Sequence, residues 1–202
     1  MYYKKENDLL EDYKIDNINN KSIKLFPLED CINTDLYEMY QDIPKEEVGS
    51  INRLYGVSYN EFESICKNII REEFVINEEI HTTTKRFILF VNSLPVGEVG
   101  IRTTLNDFWK NYGSQIYYKI RKSERGKGYG NIILKLALSE AKKLNFNRIR
   151  INCDNNNISS KKIIINNGGK VDIPDYKTKE GFSTSYIIEL NKNGRLHLEE
   201  KI

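Results

Sequence analysis

Several features that would settle a function quickly are scarce in these 202 residues. Cysteine occurs three times, at Cys31, Cys66 and Cys153. An odd number at wide spacing argues against a disulfide framework and fits small buried thiols in a reducing compartment. Histidine occurs only as His81 and His197. Neither has a partner at metal-ligand spacing, so no metal is expected. Charge of one sign is not in excess: 31 basic residues stand against 29 acidic ones. That balance lacks the clustered basic surface a nucleic-acid partner requires. Long apolar runs are missing too. The longest, residues 87–91, is far too short to span a bilayer. The opening residues, MYYKKENDLLEDYK, lack the apolar centre of a secretory signal. These absences predict a soluble, cytoplasmic protein with neither a membrane nor a nucleic-acid partner.

What is present is a chain long enough for one domain with a sizeable core. Asn, Ile and Lys are spread evenly, as in a compositional bias of the source genome, so Asn-rich stretches do not mark disorder. Residues 1–21 are polar with little periodicity and read as an extension, packed on the domain by Tyr2, Tyr3, Leu9 and Leu10. Residues 22–202 read as the domain. A strand is predicted over 22–28. A helix capped by Thr34 follows, with Leu36, Met39, Tyr40 and Ile43 on its apolar face and Pro44 ending it. Ser58 and Glu61 form a capping box ahead of Phe62, Ile65, Cys66, Ile69 and Ile70. Strands over 86–91 and 96–103 flank a turn at 92–95, and a third strand covers 115–121. Ile133, Leu134, Ala137, Leu138 and Ala141 make one stripe of a helix over 131–144. Ile149, Ile151 and Cys153 alternate with polar residues, marking a strand with one covered face. Asn157 caps a helix from Ile158 that ends at Gly168-Gly169. Strands around Val171 and over 185–190 close the chain. The order is β, α, α, three strands, α, β, α, β, β, with no internal repeat, which makes one α/β domain.

The segment Arg125-Gly126-Lys127-Gly128-Tyr129-Gly130 lies between a predicted strand and a predicted helix. Such a loop offers unpaired N–H groups and the positive end of a helix dipole, which together bind phosphate oxygens. Arg125 adds a side chain suited to the same anion. A Walker A loop is excluded, because Arg121 and Gly128 stand where it needs Gly and Ser or Thr. A dinucleotide turn fits Gly126 and Gly128, but its third glycine is displaced to Gly130 and the acidic residue, Asp154, lies too far along. The pattern R-x-x-G-x-G fits without adjustment at Arg125, Gly128 and Gly130.

That pattern resembles the pyrophosphate loop of the GNAT N-acetyltransferases. The run IYYKIRKSERGKGYGNIILKLALSEAKKL followed by CDNNNISSKKIIINNGG resembles the core of that superfamily. The agreement covers residues 96–173 and is similar to one bacterial subgroup of predicted acetyltransferases. The resemblance implies a single-domain, mixed β-sheet flanked by helices and splayed at its centre, between the strands ending near Arg121 and at Cys153. It implies that the pantetheine arm of acetyl-CoA lies in that gap against the backbone of Tyr118 and Ile120, with the Ile120 N–H polarising the thioester carbonyl. The backbone of Gly126, Lys127, Gly128, Tyr129 and Gly130 takes the pyrophosphate, and Asn157 and Ser160 face the arm. The function implied is acetyl transfer from acetyl-CoA to a primary amine by direct attack, without a metal. If the protein assembles, the implied form is a homodimer.

Two departures from the family pattern bear on catalysis. Many members carry a Tyr where this chain has Ile164, and some carry a Glu where it has Ser114. Of the carboxylates near the expected cleft, Glu98 is held on a strand between Gly97 and Gly100, which makes it the candidate general base. Asp107, Phe108, Trp109 and Tyr112 form a loop expected to border the acceptor site. Cys153 has nothing near it in sequence to lower its pKa, so no covalent intermediate is expected there. The rivals are a non-catalytic acyl-CoA-binding sensor or partner-binding module, and a dinucleotide-binding domain using Gly126, Gly128 and Asp154.

Overall fold

The computed structural model describes residues 14–18, 21–48, 50–71, 74–75, 81–104, 113–178 and 181–190. The readings placed on Tyr2, Tyr3, Leu9 and Leu10, and on the loop of Asp107, Phe108, Trp109 and Tyr112, lie outside these residues. The described residues begin with β1 (Lys14–Ile18), β2 (Lys21–Pro27), a helical turn over Leu28–Asp30 and α1 (Thr34–Asp42). A small hairpin of β3 (Glu46–Glu47) and β4 (Ser50–Ile51) precedes α2 (Tyr59–Arg71). A second hairpin, β5 (Phe74–Val75) and β6 (His81–Thr82), leads to β7 (Thr84–Val91), β8 (Leu94–Arg102) and β9 (Ile116–Ile120). Then come a turn over Lys122–Glu124, α3 (Tyr129–Lys143), β10 (Arg148–Asp154), α4 (Ile158–Asn166), β11 (Lys170–Thr178) and β12 (Gly181–Glu189).

Five strands pair in the order β1-β2-β7-β8-β9 and three in the order β10-β12-β11. Every ladder in these two sheets is antiparallel. The expected sheet is thus divided into two antiparallel parts lying side by side, and the division falls between β9 and β10, where the splay was expected. Strand β1 falls within the stretch read from sequence as an extension, yet it pairs with β2 in the larger sheet. A domain boundary at residue 21 cuts through that ladder.

Two apolar clusters cover the two faces of the larger sheet. On one face Leu25, Leu89, Val99 and Ile101 pack with Ile133, Leu134, Ala137 and Ala141 of α3 and with Ile149, Ile151 and Cys153 of β10. On the other, Ile88 packs with Leu36, Met39 and Tyr40 of α1 and Phe62 and Cys66 of α2. The alternation along β10 is thus one face packed in the core and one carrying the polar, partly buried Arg150 and Asn152.

Local signals explain the helix ends. Asn33, not Thr34, caps α1: its side chain accepts from the Leu36 N–H at 2.9 Å. The Ser58 N–H donates to Glu61 Oε2 at 2.8 Å, closing the expected capping box. Asn157 accepts from the Ser160 N–H at 3.0 Å and caps α4. Helix α3 starts at Tyr129, two residues before the start expected at 131, because Gly128 at φ 83° is its cap. The turn expected over 92–95 is tighter: Asn92 and Ser93, at φ 48° and 70°, make a two-residue hairpin. Leu94 and Pro95 already belong to β8, with Pro95 at a register shift opposite Phe90.

Candidate active site

Hydrogen bonds join the two sheets where β9 begins. The Gln115 N–H donates to the Arg150 carbonyl at 2.8 Å, and the Arg150 N–H donates to Gln115 Oε1 at 2.7 Å. The Asn152 N–H donates to Ser114 Oγ at 3.3 Å, while that hydroxyl donates to the Ile116 carbonyl at 2.8 Å. Ser114, which stands where some relatives carry a base, is therefore a pin at the root of the opening. Beyond it β9 and β10 share no ladder. The cleft between them and under the β3–β4 hairpin encloses about 1210 Å³.

The register says which backbone faces this cleft. Ile120 stands opposite Gly97, and the Arg121 N–H donates to the Val96 carbonyl at 3.0 Å. In an antiparallel ladder hydrogen-bonding direction alternates, so Ile116, Tyr118 and Ile120 turn their N–H and C=O groups away from β8. β9 is the edge of its sheet, and these groups point into the opening. The Tyr118 side chain crosses it, with its hydroxyl 2.9 Å from that of Ser160 on α4. Burial pushes the Tyr118 phenol up to about 12, against the opposing hydrogen bond from Ser160. Cys153, on the facing strand, is 4% exposed, and burial raises its thiol pKa. A thiol so placed is a poor nucleophile.

At the end of β9 the glycine loop divides into residues with different roles. Gly126 and Gly128 sit at φ 76° and 83°, and a Cβ on either would meet nothing within 4 Å. The space in front of this backbone is open, and it lies at the N-terminus of the fifteen-residue helix α3. An anionic phosphate fits both the open space and the dipole. Gly130 differs: a Cβ there would lie 2.5 Å from Ile163 Cδ1, so this glycine lets α3 pack against α4. Tyr129 buries its ring and accepts at its hydroxyl from Lys21 Nζ at 3.1 Å, leaving only its backbone to the loop. Lys127 pairs with Glu124 at 2.8 Å. Arg125 is engaged by the protein itself. Its two terminal nitrogens hold the Glu47 carboxylate at 2.5 and 2.9 Å, and its Nε donates to the Ile120 carbonyl at 2.9 Å.

Across β8 and β9 the cleft continues toward α1 and α2, where Glu98 is 5% exposed. Its Oε1 accepts from the Tyr117 hydroxyl at 2.9 Å, and that hydroxyl accepts from Arg86 Nε at 3.0 Å. The glycines flanking Glu98 make room for the protein's own chain. A Cβ at Gly97 would lie 2.5 Å from the Lys119 carbonyl, and one at Gly100 would lie 2.2 Å from the Tyr117 ring. Ile164, where many relatives carry Tyr, is 0% exposed and part of the core. Asp42, at the end of α1, accepts from Arg121 Nε at 2.9 Å and from the Ser123 N–H and hydroxyl at 3.1 and 2.5 Å. Partial burial would raise its pKa, but the bonds from Ser123 and Arg121 outweigh that and hold it below the usual carboxylate range.

The structure thus brings Tyr118, Ile120, Ser160 and the loop backbone together along one opening, with Asn157 capping the helix at its far wall. Sequence reading missed Tyr117, Arg86 and Glu47. Arg86 carried a signal, being a charge at the start of an otherwise apolar strand. Tyr117 and Glu47 carried none, since their partners lie far away along the chain. Among the described residues no three His, Cys, Asp or Glu side chains group as a metal site. No described helix is long and apolar enough to cross a membrane.

Comparison with known proteins now adds to this geometry. No curated protein matches the sequence. Similar solved structures include Mycobacterium smegmatis RimJ in complex with CoA-disulfide, at 14% identity and TM-score 0.58, covering 87% of this chain and 84% of that one. The aminoglycoside acetyltransferase AAC(6')-Ib in complex with coenzyme A aligns at 12% identity and TM-score 0.57, over 84% and 94%. A Salmonella typhimurium acetyl transferase that modifies the N-terminal serine of ribosomal protein L7/L12 aligns at 14% and TM-score 0.53, over 85% and 95%. At such identities the likeness is one of fold. The model of the acetyltransferase (GNAT) domain matches residues 34–170, which run from the first residue of α1 through the glycine loop to the start of β11. A match of that extent, over a cleft of this shape, establishes that the chain belongs to the GNAT acetyltransferase family.

Proposed function

We propose that this protein moves an acetyl group from acetyl-CoA to a primary amine, which attacks the thioester directly in the cleft between β9 and β10. The observation that carries the reading is the run of outward-turned backbone on β9, at Tyr118 and Ile120, leading straight to the open loop at Gly126 and Gly128. The loop backbone from Gly126 to Gly130 would hold the pyrophosphate, and the Ile120 N–H would polarise the thioester carbonyl. Tyr118, Asn157 and Ser160 would line the pantetheine arm, which must displace or slide past the Tyr118–Ser160 bond. Arg125 contributes by tying the Ile120 carbonyl to the hairpin at Glu47, which holds the end of β9 in place. Glu98 takes the proton the attacking ammonium must lose, either directly or through a water. The buried Cys153 is left out of the chemistry. Proximity in the cleft supplies much of the acceleration.

Thiol release from acetyl-CoA tests this, with an aminoglycoside, a peptide bearing N-terminal serine, a polyamine and a lysine peptide as acceptors. The first two follow what the similar structures' names state of those proteins. Amine-dependent release with at least one acceptor is the result expected. The second reading, a non-catalytic acyl-CoA-binding module, is favoured by the structural use of Ser114 and Ile164. It predicts tight CoA binding and no release with any acceptor, whereas absence of CoA binding contradicts both.

A further inference from the structure

Tyr117 falls on the strand face opposite Tyr118 and points away from the gap, into the half of the cleft that holds Glu98. Its ring has room only because residue 100 is glycine, whose Cβ would collide with it at 2.2 Å. The Arg102 guanidinium covers the ring, with its carbon 5.4 Å from the centroid. The hydroxyl then does two things at once. It accepts from Arg86 Nε at 3.0 Å and donates to Glu98 Oε1 at 2.9 Å. Arg86 itself stands 3.7 Å from that oxygen, so its charge acts on the carboxylate both directly, as an ion pair, and through the phenol it polarises. An O–H polarised by a cation is a stronger donor, and a carboxylate receiving it is favoured in its charged form.

We propose that Tyr117 is a positioning residue for Glu98: backed by Arg86, its hydroxyl fixes one carboxylate oxygen and holds the group aimed at the acceptor's ammonium. The inference rests on the reading of Glu98 as the proton acceptor. In that step one N–H bond of the ammonium breaks and one O–H bond of the carboxyl forms, while Tyr117 keeps its own proton throughout. Burial and the nearby Glu98 charge raise the Tyr117 pKa strongly, which fits a hydroxyl that donates without ionising. The other groups facing this pair are Tyr40 from α1, Cys66 from α2, Arg86 from β7 and Arg102 from β8.

The test compares wild type, Tyr117→Phe, Arg86→Gln, Glu98→Gln and the Tyr117→Phe/Glu98→Gln pair. It reads acetylation of glycinamide against pH and the ¹³C resonance of the Glu98 carboxyl with CoA bound. Tyr117→Phe should lower kcat about 10- to 100-fold, the effect of one hydrogen bond to a charged group, with the KM for acetyl-CoA unchanged. The acidic limb of the rate profile and the Glu98 resonance should both titrate at higher pH, since a lost donor makes the carboxylate easier to protonate. Arg86→Gln, which leaves the ring in place, should move both the same way. The double variant should lose no more than Glu98→Gln alone. A Glu98 resonance that titrates as in wild type in Tyr117→Phe overturns the proposal, whatever happens in Arg86→Gln or to Tm or turnover. Full turnover by Glu98→Gln, or no turnover by wild type, counts against the reading of the base instead.

Discussion

The half of the cleft along β9, the glycine loop and α3 presents backbone, whereas the half toward α1 and α2 presents side chains. In the first, the groups that face the opening are the N–H and C=O of Tyr118 and Ile120 and the open peptide units at Gly126 and Gly128. In the second they are Glu98, Tyr117 and Arg86, bonded to one another and drawn from three different strands. A site made of backbone tolerates many sequences and binds what all relatives share. One made of a buried polar network depends on each partner and can differ from one relative to the next. The division matches a family with a common donor and varied acceptors. Asp42 joins the halves, reaching from α1 to the turn that carries β9 into the glycine loop.

The largest effect should come from the backbone half. Gly128→Val places a β-branched residue at φ 83°, at a strain of about 1–3 kcal/mol, and fills the space where phosphate would approach. Calorimetry should show CoA binding abolished while circular dichroism shows a folded protein. Glu98→Gln should do the reverse, lowering kcat by roughly 10²–10⁴ with the Kd for CoA unchanged. If each variant damaged both functions equally, the division between halves would be wrong.

Asp42→Asn should disturb the joint. Loss of charge-assisted bonds to Ser123 and Arg121 should cost about 1–2 kcal/mol in chemical denaturation, the lower part of the usual range because the carboxylate is partly exposed. The sign with pH follows from its lowered pKa. The Asp42 contribution is complete above the ordinary carboxylate range and fades as pH falls through the lower, folded value. The Asn variant should therefore differ from wild type at neutral pH and converge with it in acid. The smallest effect should come from Gly130→Ala. Its Cβ meets the far end of the Ile163 side chain, which can move, so stability should fall by about 1 kcal/mol. CoA affinity should hold, separating the packing glycine from the loop glycines beside it.

The same division sets how much could be read from the sequence. The place of the loop was legible because glycines punctuate the passage from a strand to a helix, and β10 because Ile149, Ile151 and Cys153 alternate cleanly. The roles within the loop were not. Arg125 looked like a phosphate ligand, but its partner Glu47 is brought to it only by the β3–β4 hairpin, whose two-residue strands leave no periodic trace. A Cβ at Gly97 or Gly100 would collide with β9, so what these glycines admit is a neighbouring strand rather than a ligand. Glu98 could be picked out as a strand carboxylate beside glycines. Tyr117 and Arg86 could not be joined to it, because cross-strand register is fixed by tertiary pairing. Strand β1 was hidden for a similar reason: a short polar stretch becomes a strand only when an edge such as β2 receives it.

The central claim is that the backbone of β9 and of the glycine loop forms the CoA site. Titrating CoA into ¹⁵N-labelled protein while following amide resonances tests it most directly. The account predicts that Tyr118, Ile120, Gly126, Gly128, Tyr129 and Gly130 shift together with a single affinity, and that NAD leaves them in place. Shifts confined to other residues, or the same response to NAD as to CoA, would contradict it.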